Sequence, residues 1–389
     1  MNIPAEVIPF TLYLLLWCLA MLRNLEYQKV PQLMQQDAAP QEPESQPPLS
    51  VIIVCHEQYE ALRRHLPLVL EQEFPSPFEV IVADLNSTDE TPLLLEKLQE
   101  QYLNLHVIRT PESARNVSPI RLAITLAMRS ASHEWVVLTH ADCQPASPHW
   151  FTHMAQACAR NPETQMVVGL TQLTHLRGWR GLCCRFLQGW QQVMHLPWAK
   201  RHGAYRLLGA NLCYRRSLFF EHRGFAEHAN LLTGACDIMV NQHSTARNTV
   251  LCLHPQALLL QEVTDSARHW SQERLFFMET RRHFPHRLSY RIRYARHVLL
   301  TWFFTLSTAL LLFLCTAHQR YVLLALVVLL WAAHAWRRAL HFRSAMEAPG
   351  QRPFPVALPL LLHLVAWWDI QAWVRWRLTN PRTFQKKPL

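Results

Sequence analysis

The sequence contains no CxxC pair, no HExxH and no Cys/His array at metal-finger spacing, so no structural zinc site is expected. Its ten cysteines stand apart at 18, 55, 143, 158, 183, 184, 213, 236, 252 and 315, several inside runs that read as strands or spans. That usage fits buried thiols in a reducing compartment rather than disulfides. No basic residue precedes the first apolar run, the opposite of what a secretory signal peptide requires. Acidic residues are in deficit too: 28 Asp and Glu face 38 Lys and Arg, a formal charge of +10 with pI near 9.3. Such an excess can mean nucleic acid, but here Arg and Lys cluster beside apolar segments. The charge is therefore assigned to a membrane protein obeying the positive-inside rule, and no nucleic-acid partner is expected.

What the chain does have is apolar surface. Half of its 389 residues are apolar, concentrated in the N-terminus and the last hundred residues, whereas residues 50–290 have the texture of a soluble domain. Val7–Leu22 reads as an uncleaved anchor, with Arg23 and Lys29 marking the cytoplasmic side. Gln32–Pro48, rich in Gln, Pro and Glu, reads as a flexible linker. Further on, spans are expected at about His297–Ala317 and Tyr321–Trp336. Arg287, Arg291, Arg293 and Arg296 precede the first, and Arg337, Arg338 and Arg343 follow the second, so both basic collars fall on one side of a hairpin. Pro355–Trp368 is short, and Arg375, Arg377, Arg382, Lys386 and Lys387 follow it. A re-entrant or interfacial segment is expected there. The apolar runs are few and hold no paired charges, which argues against a transporter or channel.

Between these flanks, LSVIIVC, FEVIVAD, LHVIRT and EWVVLTHAD alternate with helix-length segments, two of which open at Thr91-Pro92 and Ser118-Pro119. Short β-branched runs separated by helices indicate βαβ units and a mostly parallel sheet covered on both faces. In such sheets ligands lie beyond the carboxyl ends of the strands. Those ends here are Cys55-His56-Glu57, Asp84 and His140-Ala141-Asp142. TQMVVGLTQ, TVLCLH and ALLLQE read as further strands. Residues 177–200, mixing Trp, Phe and Leu with Arg and Lys, fit either a helix in the headgroup layer or one packed on the sheet.

Taken together, LSVIIVCHE, EVIVADLNSTDET, WVVLTHADCQP and LLGANLCYRRSLFF resemble, in order and spacing, the motifs of membrane-anchored bacterial family 2 glycosyltransferases of the GT-A fold. The resemblance covers about residues 49–290. It implies an α/β, Rossmann-like nucleotide-diphospho-sugar domain flanked by N- and C-terminal transmembrane helices. It also implies that Asp84 contacts the nucleotide base, that Glu57, Arg121 and His140 lie on the nucleotide side, and that Asp142 is a ligand of Mn2+ or Mg2+. His140 stands where the family has the first Asp of its metal motif, a departure that bears on metal choice. GACDIMVN corresponds to the family's acidic acceptor motif and retains only Asp237 as general base, because Ala235 and Cys236 replace the other acidic positions. Arg281, Arg282 and His283 resemble a segment that contacts the diphosphate or acceptor, and equally fit a juxtamembrane collar.

The resulting expectation is an anchor at 1–30, a linker at 31–48, a GT-A-like domain at 49–290 and a membrane region at 291–389. The enzyme is expected at the cytoplasmic face of a bacterial inner membrane, moving a sugar with inversion from a nucleotide-diphospho-sugar to a lipid-linked or glycan acceptor. Processive synthases of the family carry QxxRW, whereas this chain has only WSQER from Trp270, so a single addition is expected. The competing expectation is a degenerate homologue that binds nucleotide sugar or a partner without turnover.

Overall fold

The computed structural model describes residues 7–37, 46–111, 116–285, 288–348 and 358–385. Helices α1 (Val7–Asn24) and α2 (Lys29–Asp37) come first. The alternating region then runs β1 (Leu49–Cys55), α3 (Tyr59–Leu70), β2 (Phe78–Asp84), α4 (Thr91–Gln101), β3 (Leu105–Arg109), α5 (Pro119–Ser130) and β4 (Trp135–His140). After it come β5 (Cys143–Pro145), α6 (Trp150–Ala159), β6 (Met166–Gly169), β7 (Thr171–Thr174), α7 (Gly178–His202), β8 (Leu212–Arg215) and α8 (Arg216–Glu221). The remainder is α9 (Ala235–His243), β9 (Thr249–Cys252), β10 (Leu259–Glu262), α10 (Ser266–Thr280), α11 (Leu288–Ala317), α12 (Tyr321–Glu347) and α13 (Leu358–Leu378). The chain forms two compact units, residues 1–35 with 287–371 and residues 36–286 with 372–389.

The second unit is built on a seven-stranded sheet of order β3-β2-β1-β4-β8-β6-β9. Strands β1 to β4 are mutually parallel, and β8 runs antiparallel to both β4 and β6. This is the GT-A-like mixed α/β fold that the motifs led us to expect. LSVIIVC and FEVIVAD are almost wholly buried, as central parallel strands must be when helices cover both faces. The one polar residue inside β1, Ser50, donates to Glu79 Oε1 at 2.6 Å, and Glu79 also accepts the Ser132 N–H at 2.6 Å. A buried hydroxyl and carboxylate thus satisfy each other beneath the sheet.

TQMVVGLTQ, expected as one strand, is two in different sheets. β6 belongs to the large sheet, while β7 joins a three-stranded sheet of order β5-β10-β7. The break falls at Leu170, whose carbonyl is taken by the buried Asn211 side chain at 3.1 Å and by the Leu259 N–H. Residues Gln32–Asp37, read as linker, are helical in α2, and Asp37 accepts from Arg160 and from the Leu253 N–H, each at 2.6 Å. The rest of that expected linker, residues 38–45, lies outside the described residues. Helix α7 buries more than half of its 25 residues, which favours the packed reading of 177–200 over the interfacial one, although Trp179 remains exposed.

Among the described residues three helical stretches, Ile8–Asp37, Leu288–Ala317 and Tyr321–Glu347, are long and apolar enough to cross a membrane. Tyr13 stacks on Phe304 at 5.4 Å between ring centres, tying α1 to α11. Against the expectation of no paired charges, ion pairs do occur among these helices, one of them at His297, where an expected span begins. Glu26 pairs with Arg293 at 2.8 Å and with His297 at 3.0 Å. Within the segment read as re-entrant or interfacial, residues 355–357 lie outside the described residues, and α13 continues without interruption from Leu358 to Leu378.

Candidate active site

Strand register aligns the candidate residues. Cys55 pairs with Asp84 across β1 and β2, and Val54 pairs with His140 across β1 and β4, so the carboxyl ends of three parallel strands finish level. Two inter-strand steps, about 10 Å, separate the Asp84 and His140 backbones. Asp84 is buried and accepts Ser87 Oγ–H at 2.5 Å and the Ser87 N–H at 3.2 Å, so its carboxylate closes the turn after β2. Glu57, at φ 51°, accepts from Thr88 Oγ1 at 3.0 Å, while its N–H donates to Ser87 Oγ. Glu57 and Asp84 are therefore held by a single Ser87-Thr88 turn.

On the other side, Asp142 sits between β4 and β5. Its Oδ2 accepts from Gln261 of β10 at 3.0 Å, and its Oδ1 lies 3.9 Å from His140 Nδ1. Among the described residues, His140, Asp142 and Cys143 form a group whose donor atoms all lie within 4.8 Å of one another. Burial, with the Asp142 charge beside it, holds the Cys143 thiol well above its ordinary pKa, and a soft sulfur is a poor partner for a hard Mn2+ or Mg2+ ion. What is left is one carboxylate and one imidazole. That donor set suits Mn2+ better than a soft metal, with further oxygens left to a bound diphosphate and water.

A cavity of about 330 Å³ opens beside this edge, within the size range of small-molecule sites of about 300–1,000 Å³. Of the residues singled out from the sequence, His140, Arg121 and Asp237 line it; Glu57, Asp84, Asp142, Arg281, Arg282 and His283 do not. Asp142 reaches its wall only through its partner Gln261. Asp237 lies in the first turn of α9, where Oδ1 accepts the Leu207 N–H at 2.9 Å and Oδ2 lies 3.3 Å from Arg206. Burial pushes the Asp237 carboxyl above its ordinary pKa, and Arg206 pulls it part of the way back. Cys236 cannot take over the lost acidic position, because burial lifts its thiol to about 12.

Two close approaches shape this wall. Gly234, at φ 64°, packs so tightly on Thr280 that an added Cβ would lie 2.1 Å from its Cγ2. Gly209, at φ 129°, would put a Cβ 2.2 Å from that of Thr171. Both positions need glycine for the left-handed backbone and for the missing side chain.

Arg121, expected near a nucleotide, is almost fully buried. It donates to the carbonyls of Leu231 at 2.7 Å and Thr233 at 2.8 Å, and its guanidinium stacks 5.0 Å from the Phe225 ring centre. Burial lowers its pKa to about 10. It thus fastens the loop that leads into Gly234 and Asp237. Arg282 and His283 gather instead around the buried Glu279, at 3.4 Å and 3.7 Å, and Glu279 also accepts from Trp376 Nε1 at 2.7 Å.

Sequence reasoning missed Arg206, Glu273 and His269. Arg206 Nη2 bridges Asp237 and Glu273, 3.0 Å from Glu273 Oε1, and its guanidinium lies 4.0 Å from the Phe277 ring centre. Glu273 is half exposed; partial desolvation against the cavity wall works against its charged form, but Arg206, His269 and His140 outweigh it, so its pKa lies below the ordinary value. The available signal was the polar and aromatic stripe His269, Trp270, Glu273, Arg274, Phe277, whose three-to-four spacing turns one face of α10 to the cavity.

Residues 50–180 match the model of the family described as Glycosyl transferase family 2. This bears out the family 2 part of the resemblance, over these residues. No curated protein matches the sequence. Among solved structures, the chain is similar to the mannosyltransferase PcManGT from Pyrobaculum calidifontis in complex with GDP-Man and Mn2+, at 17% identity over 90% of this chain and 99% of that one, with a TM-score of 0.49. It is also similar to residues 1–349 of TarS from S. aureus in complex with UDP-GlcNAc, at 15% identity over 84% and 89% of the two chains, with a TM-score of 0.42.

Proposed function

We propose that this chain is a membrane-anchored glycosyltransferase that moves a sugar, with inversion, from a nucleotide-diphospho-sugar to a lipid-linked or glycan acceptor at the cytoplasmic face. The carrying observation is the level strand edge that carries Asp84 at one end and His140 at the other, with Asp142 just past His140, next to a cavity that Asp237 lines. Glu57 and Asp84 sit on the side assigned to the nucleotide. Asp142 and His140 would hold Mn2+ or Mg2+, which neutralises the charge on the departing nucleoside diphosphate when bound.

Asp237 is the proposed base. It takes the proton of the acceptor hydroxyl while that oxygen bonds to the anomeric carbon, and the bond from that carbon to the diphosphate breaks. The raised pKa of Asp237 suits this role, because a base titrating nearer neutrality is the stronger proton acceptor. The Leu207 N–H fixes one carboxylate oxygen, and Arg206 holds the other in the ionised form. Arg121 keeps the 231–233 loop in place beneath this turn. The basic collars and the three candidate spans support delivery of the acceptor at a membrane surface.

The loss of acidic residues at Ala235 and Cys236 motivates one rival reading, binding without turnover. The experiment that separates the two is a panel of nucleotide sugars, with and without Mn2+, scored for thermal stabilisation and for transfer to extracted lipid or glycan. Metal-dependent stabilisation with transfer supports the enzyme. Stabilisation with no transfer to any acceptor overturns it in favour of the binding protein.

A further inference from the structure

We propose that the three-helix unit of α1, α11 and α12 carries a binding site for the phosphate of an anionic lipid, held between Arg23 and Arg338. The two side chains are only 7% and 4% exposed, yet they converge on a single hydroxyl. Arg23 Nη1 donates to Thr301 Oγ1 at 3.1 Å and to the His297 carbonyl at 2.9 Å, while Arg338 Nη2 donates to the same Thr301 oxygen at 3.0 Å. Nε and Nη2 of Arg23 and Nε of Arg338 make no hydrogen bond.

Among the described residues of this unit, every carboxylate has other partners. Glu26 pairs with Arg293 and His297, Glu347 pairs with Arg343 at 2.6 Å, and Asp369 accepts from Tyr294 at 2.8 Å. Two like charges are thus enclosed together with donors to spare: Glu26 attracts Arg23 without bonding to it, and its oxygens are already taken by Arg293 and His297. Such an arrangement is strongly unfavourable until an anion completes it. Tetrahedral phosphate offers several acceptor oxygens in the geometry that two guanidinium forks can grip.

Depth along the helices identifies the source. Arg23 follows the apolar run Val7–Leu22, Arg338 follows Tyr321–Trp336, and Thr301 is one turn past His297, where the apolar part of α11 begins. All three lie where an apolar run meets the exposed collar of Arg291, Arg296, Arg337 and Arg343, the level at which lipid phosphates sit. Arginines of this length can extend toward that level while their stems stay among apolar neighbours. The inference rests on these helices being membrane spans, but not on the transfer reaction.

The test uses the full chain purified in neutral detergent, with thermal unfolding followed on addition of phosphatidylglycerol, phosphatidylcholine or inorganic phosphate. Phosphatidylglycerol should raise the melting temperature, and phosphatidylcholine should not. In Arg338→Gln the gain should vanish, with affinity weakened by about tenfold or more. The same variant should melt at or above the parent in lipid-free detergent, because it removes a buried charge that is hydrogen-bonded to a neutral hydroxyl but paired with no carboxylate. Arg337→Gln, on the exposed collar, should keep the gain. Should Arg338→Gln fail to fold, Arg23→Lys retains the charge, loses the fork, and should still weaken the lipid. An undiminished gain in Arg338→Gln, or in Arg23→Lys if that variant decides, overturns the site. So does a variant that simply melts lower while responding to lipid like the parent. Equal stabilisation by inorganic phosphate overturns the lipid assignment.

Discussion

Arg206 Nη2 stands 3.3 Å from Asp237 Oδ2, and the same nitrogen stands 3.0 Å from Glu273 Oε1. One cation therefore serves two carboxylates from different helices. Each carboxylate raises the cost of ionising the other, and the arginine offsets that cost for both. The arrangement makes the ionisation of Asp237 depend on a residue that belongs to no strand-end motif.

The first prediction is a pH dependence. A base of this kind is active when ionised, so kcat/KM should fall as pH drops through the Asp237 pKa. The Glu273 charge contributes to raising that pKa. Glu273→Gln removes it and leaves Arg206 to Asp237 alone, so the acidic limb of the pH-rate profile should move to lower pH. A limb that stays in place, or moves up, would show that the two groups are not coupled.

Asp237→Asn should reduce transfer by about 10²–10⁴-fold, the usual contribution of a positioned base. Nucleotide-sugar affinity should change little, because the strand edge is untouched. Isothermal titration beside initial rates checks the split, and a matching loss of affinity would place Asp237 on the donor side instead.

The metal edge yields a pair of outcomes. Asp142→Asn should abolish Mn2+-dependent nucleotide binding. His140→Asp should shift preference toward Mg2+, since a second carboxylate replaces the nitrogen donor with hard oxygen. Binding measured across a Mn2+ and Mg2+ series decides it; an unaltered metal profile in both variants would remove these residues from the ion.

Arg121→Met should destabilise the protein by about 2–4 kcal/mol, the scale of two charge-assisted bonds lost from a buried site. As a residue that positions the 231–233 loop, it should depress kcat more than it raises the donor KM. Denaturant unfolding together with kinetics tests this, and a raised donor KM at unchanged stability would return Arg121 to the nucleotide side.

A good part of the fold was legible because its signals are local. Short β-branched runs such as FEVIVAD and WVVLTHAD announce buried parallel strands, and their last residues name the edge at which a ligand sits. Ser118-Pro119 marks a helix start for the same reason. TQMVVGLTQ misled because its apolar pattern is continuous. What divides it is the side chain of Asn211, some forty residues downstream in the sequence.

The sequence by itself determined the α/β order, the apolar runs, the basic collars and the family motifs, all of which follow from periodicity and composition along the chain. Tertiary structure alone decided which charges meet. It brought Arg206 to Asp237 and Glu273, fastened Arg121 to two loop carbonyls at the cavity wall, and set Arg23 and Arg338 on one threonine. The physical reason is that a charge interacts over a few ångströms of space, whatever the distance along the chain. Side chains hundreds of residues apart become partners only when helices and strands pack.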